Sequence, residues 1–306
     1  MHRPPGDSRS ARYGGPMLAI GLGVLAGILF GLLTVLVRRG IMRAPDPIAG
    51  SVVVVGVAAL IVLVVSIATG HGHDLLDARP ALVYLLIGIV APGATQVVFM
   101  LAVRDVGASR VAIMIGMAPL LATAIAVVLR GEPFKAGLAA GTVLIVLGGV
   151  SLAWDRNLPP GFRSRGLVLA FLCALLFACR DNAMRAVGME TSMDPRAATA
   201  WALIGAFIAV AAFAGATRRG ALPGQLRIVA PAFLPAGVVF GIAYTTLTIA
   251  LHVGKVTVFA PLNAMQSMWT VLFAWVLLGT SDAIGVRIVA AMLLVVSGGM
   301  LIGIFR

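Results

Sequence analysis

Two stretches decide how this chain is read: VGASRVAIMIGMAPLLATAIAVVLRGE (Val106–Glu132) and VGKVTVFAPLNAMQSMWTVLFAWVLLGT (Val253–Thr280). Both open on Val-Gly, continue as one long apolar run, and close on a glycine followed by a polar residue. The likeness extends outward. FGLLTVLVRRG (Phe30–Gly40) lies over FACRDNAMRAV (Phe177–Val187) at an offset of 147, so that Phe30 meets Phe177, Thr34 meets Asp181 and Arg38 meets Arg185. The segments that follow, GLAAGTVLIVLGGVSL and VRIVAAMLLVVSGGML, share a late Gly-Gly pair. A fixed period across a whole chain is the mark of an internal repeat, here two copies of a unit of about 140 residues.

Hydrophobic residues make up 60% of the chain and charged ones 11%, against roughly 25% charged in soluble domains. A spanning helix needs roughly 20 apolar residues. Ten such runs are present, at about 17–37, 47–69, 80–102, 108–129, 136–154, 166–187, 197–217, 228–251, 256–278 and 284–304. The fold class expected is therefore an all-α membrane protein of ten transmembrane helices. Its organisation is a polar tail (1–15), a first five-helix repeat (16–155), a linker (156–165) and a second five-helix repeat (166–306). An odd number of spans per copy inserts the second copy upside down, the inverted-topology arrangement of secondary transporters.

Net charge is +12. The basic residues fall between the apolar runs without interleaved aromatics, which suits anionic head groups and not nucleic acid. Arginine outnumbers lysine 21 to 2, a bias of GC-rich bacterial genomes. Ten spans put both termini on one side, taken as cytoplasmic. That side carries ten Lys/Arg and the other twelve, Arg38, Arg104, Arg110, Arg163 and Arg165 among them. The run 17–37 exceeds a signal-peptide core of 7–15 residues and reads as a first span. Cys173 and Cys179 share one run, on different helical faces, and cannot bridge. His71, His73 and Asp74 read as a solvated loop, not a metal site. No catalytic motif, metal site or cofactor is expected.

The stretch SRVAIMIGMAPLLATAIAVVLRGEPFKAGLAAGTVLIVLGGVSLA (Ser109–Ala153) resembles the closing segment of an EamA repeat in the drug/metabolite transporter superfamily. The carriers of the resemblance are the mid-run Pro119, the closing Gly131-Glu132 pair, and Gly141 with Gly148-Gly149. The second copy departs from it: Gly279-Thr280 replaces Gly-Glu, and its proline, Pro261, comes early. The first run holds no ionisable residue from Leu18 to Val37, so the carboxylate of small multidrug-resistance relatives is lacking. The resemblance implies a secondary transporter in the bacterial inner membrane, exporting a small metabolite such as an amino acid by alternating access. It also implies a cavity lined by the fourth and ninth spans. Two other readings are weighed: an intramembrane lipid-modifying enzyme, and a non-transporting membrane scaffold.

Polar residues inside the spans are the site candidates, because lipid tolerates them poorly. The sixth span carries Arg180, Asp181 and Asn182. Arg180 suits a carboxylate or phosphate, and Asp181 suits an amine or a proton. The competing expectation has Arg180 snorkelling to the interface while Asp181 pairs with Arg185 at i,i+4. The ninth span has a polar stripe at Asn263, Gln266 and Thr270. The eighth places Tyr244 and Thr248 on one face, and Gln96 matches them in the third. Met117 offers an adaptable apolar wall. Pro119 and Pro261 are expected to kink their helices, and Glu132 to cap the fifth span. Trp201 reads as an interfacial anchor. The glycine lines 23-27-31, 137-141 and 299-303 are packing faces that serve the bundle or a homodimer. The partners expected are thus a small solute, the bilayer and a second copy.

Overall fold

The computed structural model describes residues 15–118, 120–121, 124, 136–153, 158, 161–218, 222–253, 265–279 and 284–305. Among these residues the secondary structure is helical throughout and no strand occurs. Pro119, Glu132, Pro261 and Asn263 lie outside the described residues.

The first half comprises α1 (Gly15–Arg43), α2 (Pro47–Ala68), α3 (Ala78–Gly88), a π segment (Ile89–Ala94), α4 (Thr95–Val106), α5 (Ala108–Ile115) and α6 (Ala136–Ala153). The second comprises α7 (Arg165–Glu190), α8 (Pro195–Arg218), α9 (Leu222–Val253), α10 (Gln266–Leu278) and α11 (Val286–Phe305). Among the described residues six segments are long and apolar enough to cross a membrane: Gly21–Arg43, Pro47–Ala68, Ala78–Val106, Arg165–Gly188, Pro195–Thr217 and Leu222–His252. The chain is a multi-pass membrane protein. Within the four other runs expected to span, the described residues form α5, α6, α10 and α11, which are not among those six.

Local chemistry places the breaks. Asp46 caps α2, its Oδ1 accepting from the Ala49 N–H at 3.1 Å, with Pro47 entering the first turn. The expected run 80–102 is not one straight helix. Pro92 has no N–H to donate, Ala91 leaves helical geometry at φ −146°, and the ladder slips into the π segment. Gly107 then turns α4 into α5 without a linker, at φ +88°, which a side chain would oppose.

The halves pack so that the main contacts have counterparts under exchange. α1 lies against α9 and α10, and its equivalent α7 lies against α4 and α5. α2 meets α9 as α8 meets α3 and the π segment, while α2–α8 and α6–α11 pair equivalent elements. Tyr84, in the early part of the segment Ala78–Val106, reaches His252 near the end of α9 (3.3 Å).

The close approaches are made by small residues. A Cβ on Gly141 would stand 2.7 Å from the Gly298 oxygen, and one on Gly298 would stand 2.6 Å from the Gly141 oxygen. A Cβ on Gly31 would meet Trp269 Cβ at 2.7 Å, and one on Gly137 would strike the Phe305 ring. These glycines are thus used within one chain, which takes them away from a homodimer. Phe233 fills the space left by Gly40 and Gly50.

Candidate functional site

Arg180 lies 15 residues into α7, about 22 Å from its start and 15 Å from its end at 1.5 Å per residue. That is well inside a hydrocarbon core of about 30 Å. Its side chain is 6% exposed. The guanidinium donates from Nε and Nη2 to Asp181 Oδ1, at 2.9 and 2.7 Å. It stacks against Phe177 at 4.6 Å and Tyr244 at 5.3 Å from the ring centres. Arg180 therefore does not snorkel. It turns towards α9, where two aromatic faces offer their negative quadrupoles and a carboxylate shares its charge. The pair is made between adjacent residues, so Asp181 serves Arg180; the Arg185 side chain lies outside what is described.

The other candidates fall into three groups. Tyr244 joins Arg180 directly. Its hydroxyl donates to Met184 Sδ at 3.4 Å, and Phe240 stands edge-on to its ring, with centroids 5.6 Å apart. Thr248 is buried one turn on and donates to the Tyr244 carbonyl, at 2.9 Å, while Asn182 donates to the Ala178 carbonyl, at 2.8 Å. Both side chains thus satisfy their own helix. Gln96 sits on α4, which packs against α7, with Cys173 Sγ reaching the Thr95 carbonyl, at 3.9 Å. Gln96 is buried, and its Nε2 has no partner among the described residues. Gln266 and Thr270 are buried on α10, where Thr270 donates to the Gln266 carbonyl, at 3.0 Å. Met117 stands apart from these, in an apolar cluster with Ile145 and Ile302.

Sequence reasoning missed two polar clusters that bracket this region. At one end of the third span the Asp105 carboxylate is buried. It accepts from Arg104 Nε at 2.8 Å and Arg165 Nε at 2.7 Å. The Asp105 carbonyl accepts from the Arg163 N–H, at 2.8 Å. Arg38 donates to the carbonyls of Val103 and Arg104, the last of α4, at 3.2 and 3.0 Å. Arg38 and Arg110 are buried, so two of the arginines read as surface charges are internal. The available signal was an acid placed directly before the repeated Val-Gly. At the other end, His252 Nδ1 bonds the Thr248 carbonyl (2.8 Å), which leaves Nε2 to accept from the Tyr84 hydroxyl. Tyr84 and Asp105 are 21 residues apart, about 32 Å along a helix.

The loop histidine His71 is likewise less solvated than expected. It bridges to Asp194 at 3.4 Å and accepts from Arg196 at 3.1 Å, tying the first half to the second. Trp201 Nε1 donates to the Leu75 carbonyl in the same region, at 3.2 Å.

Comparison with known proteins agrees with this duplicated bundle. The EamA-like transporter family model matches residues 17–154 and again 164–304. The chain belongs to the EamA-like transporter family. No curated protein matches this EamA chain. A solved structure, described only as the crystal structure of a protein, superposes with a TM-score of 0.63 at 18% identity. It covers 91% of this chain and 94% of that one, a likeness that establishes the fold alone. The family is one of membrane transporters in the drug/metabolite transporter superfamily.

Proposed function

We propose that this chain is a secondary transporter that exports a small organic metabolite, an amino acid or related compound, across the bacterial inner membrane. Repeats 16–155 and 166–306 are inverted copies, each supplying five of ten spans, with both termini cytoplasmic. The halves rock about a midplane site and open it to one side at a time. The observation that carries this reading is the Arg180–Asp181 pair, held against Tyr244 at mid-depth. An ionised pair in hydrocarbon is costly, and such pairs mark solute paths. Arg180 receives the substrate carboxylate through donors that Asp181 leaves unused, and Asp181 orients it. Gln96, Asn182, Asn263, Gln266, Thr270 and Thr248 supply further polar contacts, and Met117 an apolar wall. Pro119 and Pro261 allow bending at the fourth and ninth spans, and Glu132 fixes the start of the fifth.

The two end clusters fit the same cycle. Asp105 and His252 occupy equivalent positions, 147 residues apart, at opposite ends of the bundle. Opening either end separates one cluster while its counterpart holds.

The test is counterflow of labelled amino acids and related metabolites in liposomes containing the purified chain. Uptake above empty liposomes is expected, with Arg180→Ala and Gln266→Ala reducing it. A broad metabolite panel without flux, from protein that is folded, overturns the assignment.

A further inference from the structure

α4 and α7 pack side by side and antiparallel. Cys173 Sγ reaches the Thr95 carbonyl where α4 begins, and Arg165, the first residue of α7, reaches Asp105 where α4 ends. The buried Asp105 takes one guanidinium on each oxygen, Arg104 on Oδ1 and Arg165 on Oδ2. Each arginine uses only its Nε there, so among the described residues the terminal amino groups of both forks make no bond. Unlike the carboxylate, these arginines are open to an approaching group, with side chains 31% and 59% exposed. Two more arginines join them. Arg163 is exposed and donates its backbone N–H to the Asp105 carbonyl, while Arg38 is buried against the carbonyls of Val103 and Arg104. Four arginines thus gather about one carboxylate. A surplus of charge at the edge of an apolar bundle calls for an anion, and Arg104, Arg163 and Arg165 can reach one.

The surface below these arginines decides what carries the anion. On α7, Arg165, Val168 and Leu172 follow i, i+3, i+7 on one face, and Val168 and Leu172 are 69% and 39% exposed. On α4, Leu101 and Val98 lie about one and two turns back from Arg104 and are half-buried. Both helices belong to segments long and apolar enough to cross a membrane. An ion in solution meets the arginines alone, whereas a phospholipid meets the arginines with its head and the apolar faces with its chains.

We propose that the Arg104–Asp105–Arg165 cluster binds the phosphodiester of an anionic phospholipid, with the acyl chains along α4 and α7. Each guanidinium fork donates to one non-bridging phosphate oxygen. Ser164, exposed at the start of α7 and without a capping bond, adds its hydroxyl as a donor. Asp105 does not meet the lipid; it holds the two forks together. A head group with an ammonium brings a cation against three guanidiniums, so phosphatidylglycerol is preferred to phosphatidylethanolamine. The proposal does not rest on the transport reading, because Arg180 takes no part and binding is read without flux.

The experiment is native mass spectrometry and thermal unfolding of the purified full chain, delipidated in detergent. The additions are phosphatidylglycerol, phosphatidylethanolamine and water-soluble glycerol phosphate. Three exposed or half-exposed arginines against Asp105 leave two net positive charges at the site. Each is worth about a fivefold preference for an anionic head group. Phosphatidylglycerol is therefore expected to bind roughly twentyfold more tightly than phosphatidylethanolamine, and the ratio to fall as salt is raised. Arg104→Gln and Arg165→Gln are each expected to weaken phosphatidylglycerol about fivefold and to leave phosphatidylethanolamine unchanged. Arg227→Gln is the control, an exposed arginine near the start of α9 with no ion-pair partner among the described residues, and is expected to change neither lipid. Equal binding of the two lipids by wild type overturns the proposal. A loss from Arg227→Gln as large as that from Arg165→Gln also overturns it, since the basic surface then acts as a whole. A response to glycerol phosphate equal to that of phosphatidylglycerol makes the occupant a solute and overturns the lipid assignment. Should Arg104→Gln fail to fold, the comparison of Arg165→Gln with Arg227→Gln decides alone.

Discussion

Replacing Arg180 with methionine keeps an unbranched apolar stem but removes the guanidinium and its charge. Asp181 is then left with 15% of its side chain exposed and without the two bonds it now accepts. Breaking a buried pair from one side costs about 3–5 kcal/mol, because an uncompensated charge remains. Loss of the stacking on Phe177 and Tyr244 adds about 0.5–1 kcal/mol per ring. At roughly 2 °C per kcal/mol for a chain of this size, the unfolding midpoint should fall by about 10 °C. The double variant Arg180→Met/Asp181→Leu removes both charges, and buried pairs replaced by apolar residues are often neutral or stabilising. It should recover to within about 1 kcal/mol of wild type. Flux responds differently: it should be lost in the single variant and stay lost in the double, since the group that meets the solute is absent from both. Thermal unfolding in detergent and counterflow in liposomes, run on the same preparations, read the two effects separately. Restored flux in the double variant would refute the reasoning, because the pair would then be only a packing device.

Asp105→Asn retains shape but weakens two charge-assisted bonds. With Arg104 and Arg165 at 31% and 59% exposure, the loss should be about 1–2 kcal/mol, measured by thermal unfolding. Gly141→Val places carbon 2.7 Å from the Gly298 oxygen and should cost about 1–3 kcal/mol by overpacking α6 on α11; unchanged stability would mean these helices stand further apart. Tyr84→Phe removes the donor to His252 and should cost about 1 kcal/mol, while changing accessibility to a cysteine reagent at one end of the bundle only.

The duplication was legible because Val-Gly and the late Gly-Gly pair recur in register, and the helical class because apolar runs of spanning length leave little choice. What the runs could not show is how a charge at their margin resolves. Arg38, Arg104 and Arg165 come from three separate stretches, and their meeting around Asp105 depends on which helices pack together. A linear reading sees only that each sits near water. Arg180 shows the same limit. Its reach to the interface was computable from helix rise, but the choice between interface and interior is made by Phe177 and by Tyr244, 64 residues away. The π segment was hidden for another reason: Pro92 lies in a stretch apolar enough to read as unbroken helix. Asn182 and Thr248 show a further limit: each donates to the carbonyl one turn back, a local bond that helical spacing alone does not reveal.

The unlike chemistry of Asp105 and His252 bears on direction. The main helix contacts of the two halves correspond under exchange, so helix packing alone gives a rocking bundle little reason to rest on one side. A carboxylate gripped by two arginines is a firmer clasp than a phenol donating to an imidazole. If the halves rock as proposed, the gap between those clasps tilts the empty carrier toward facing the histidine side. Each 1.4 kcal/mol of difference would be worth a factor of ten in that bias.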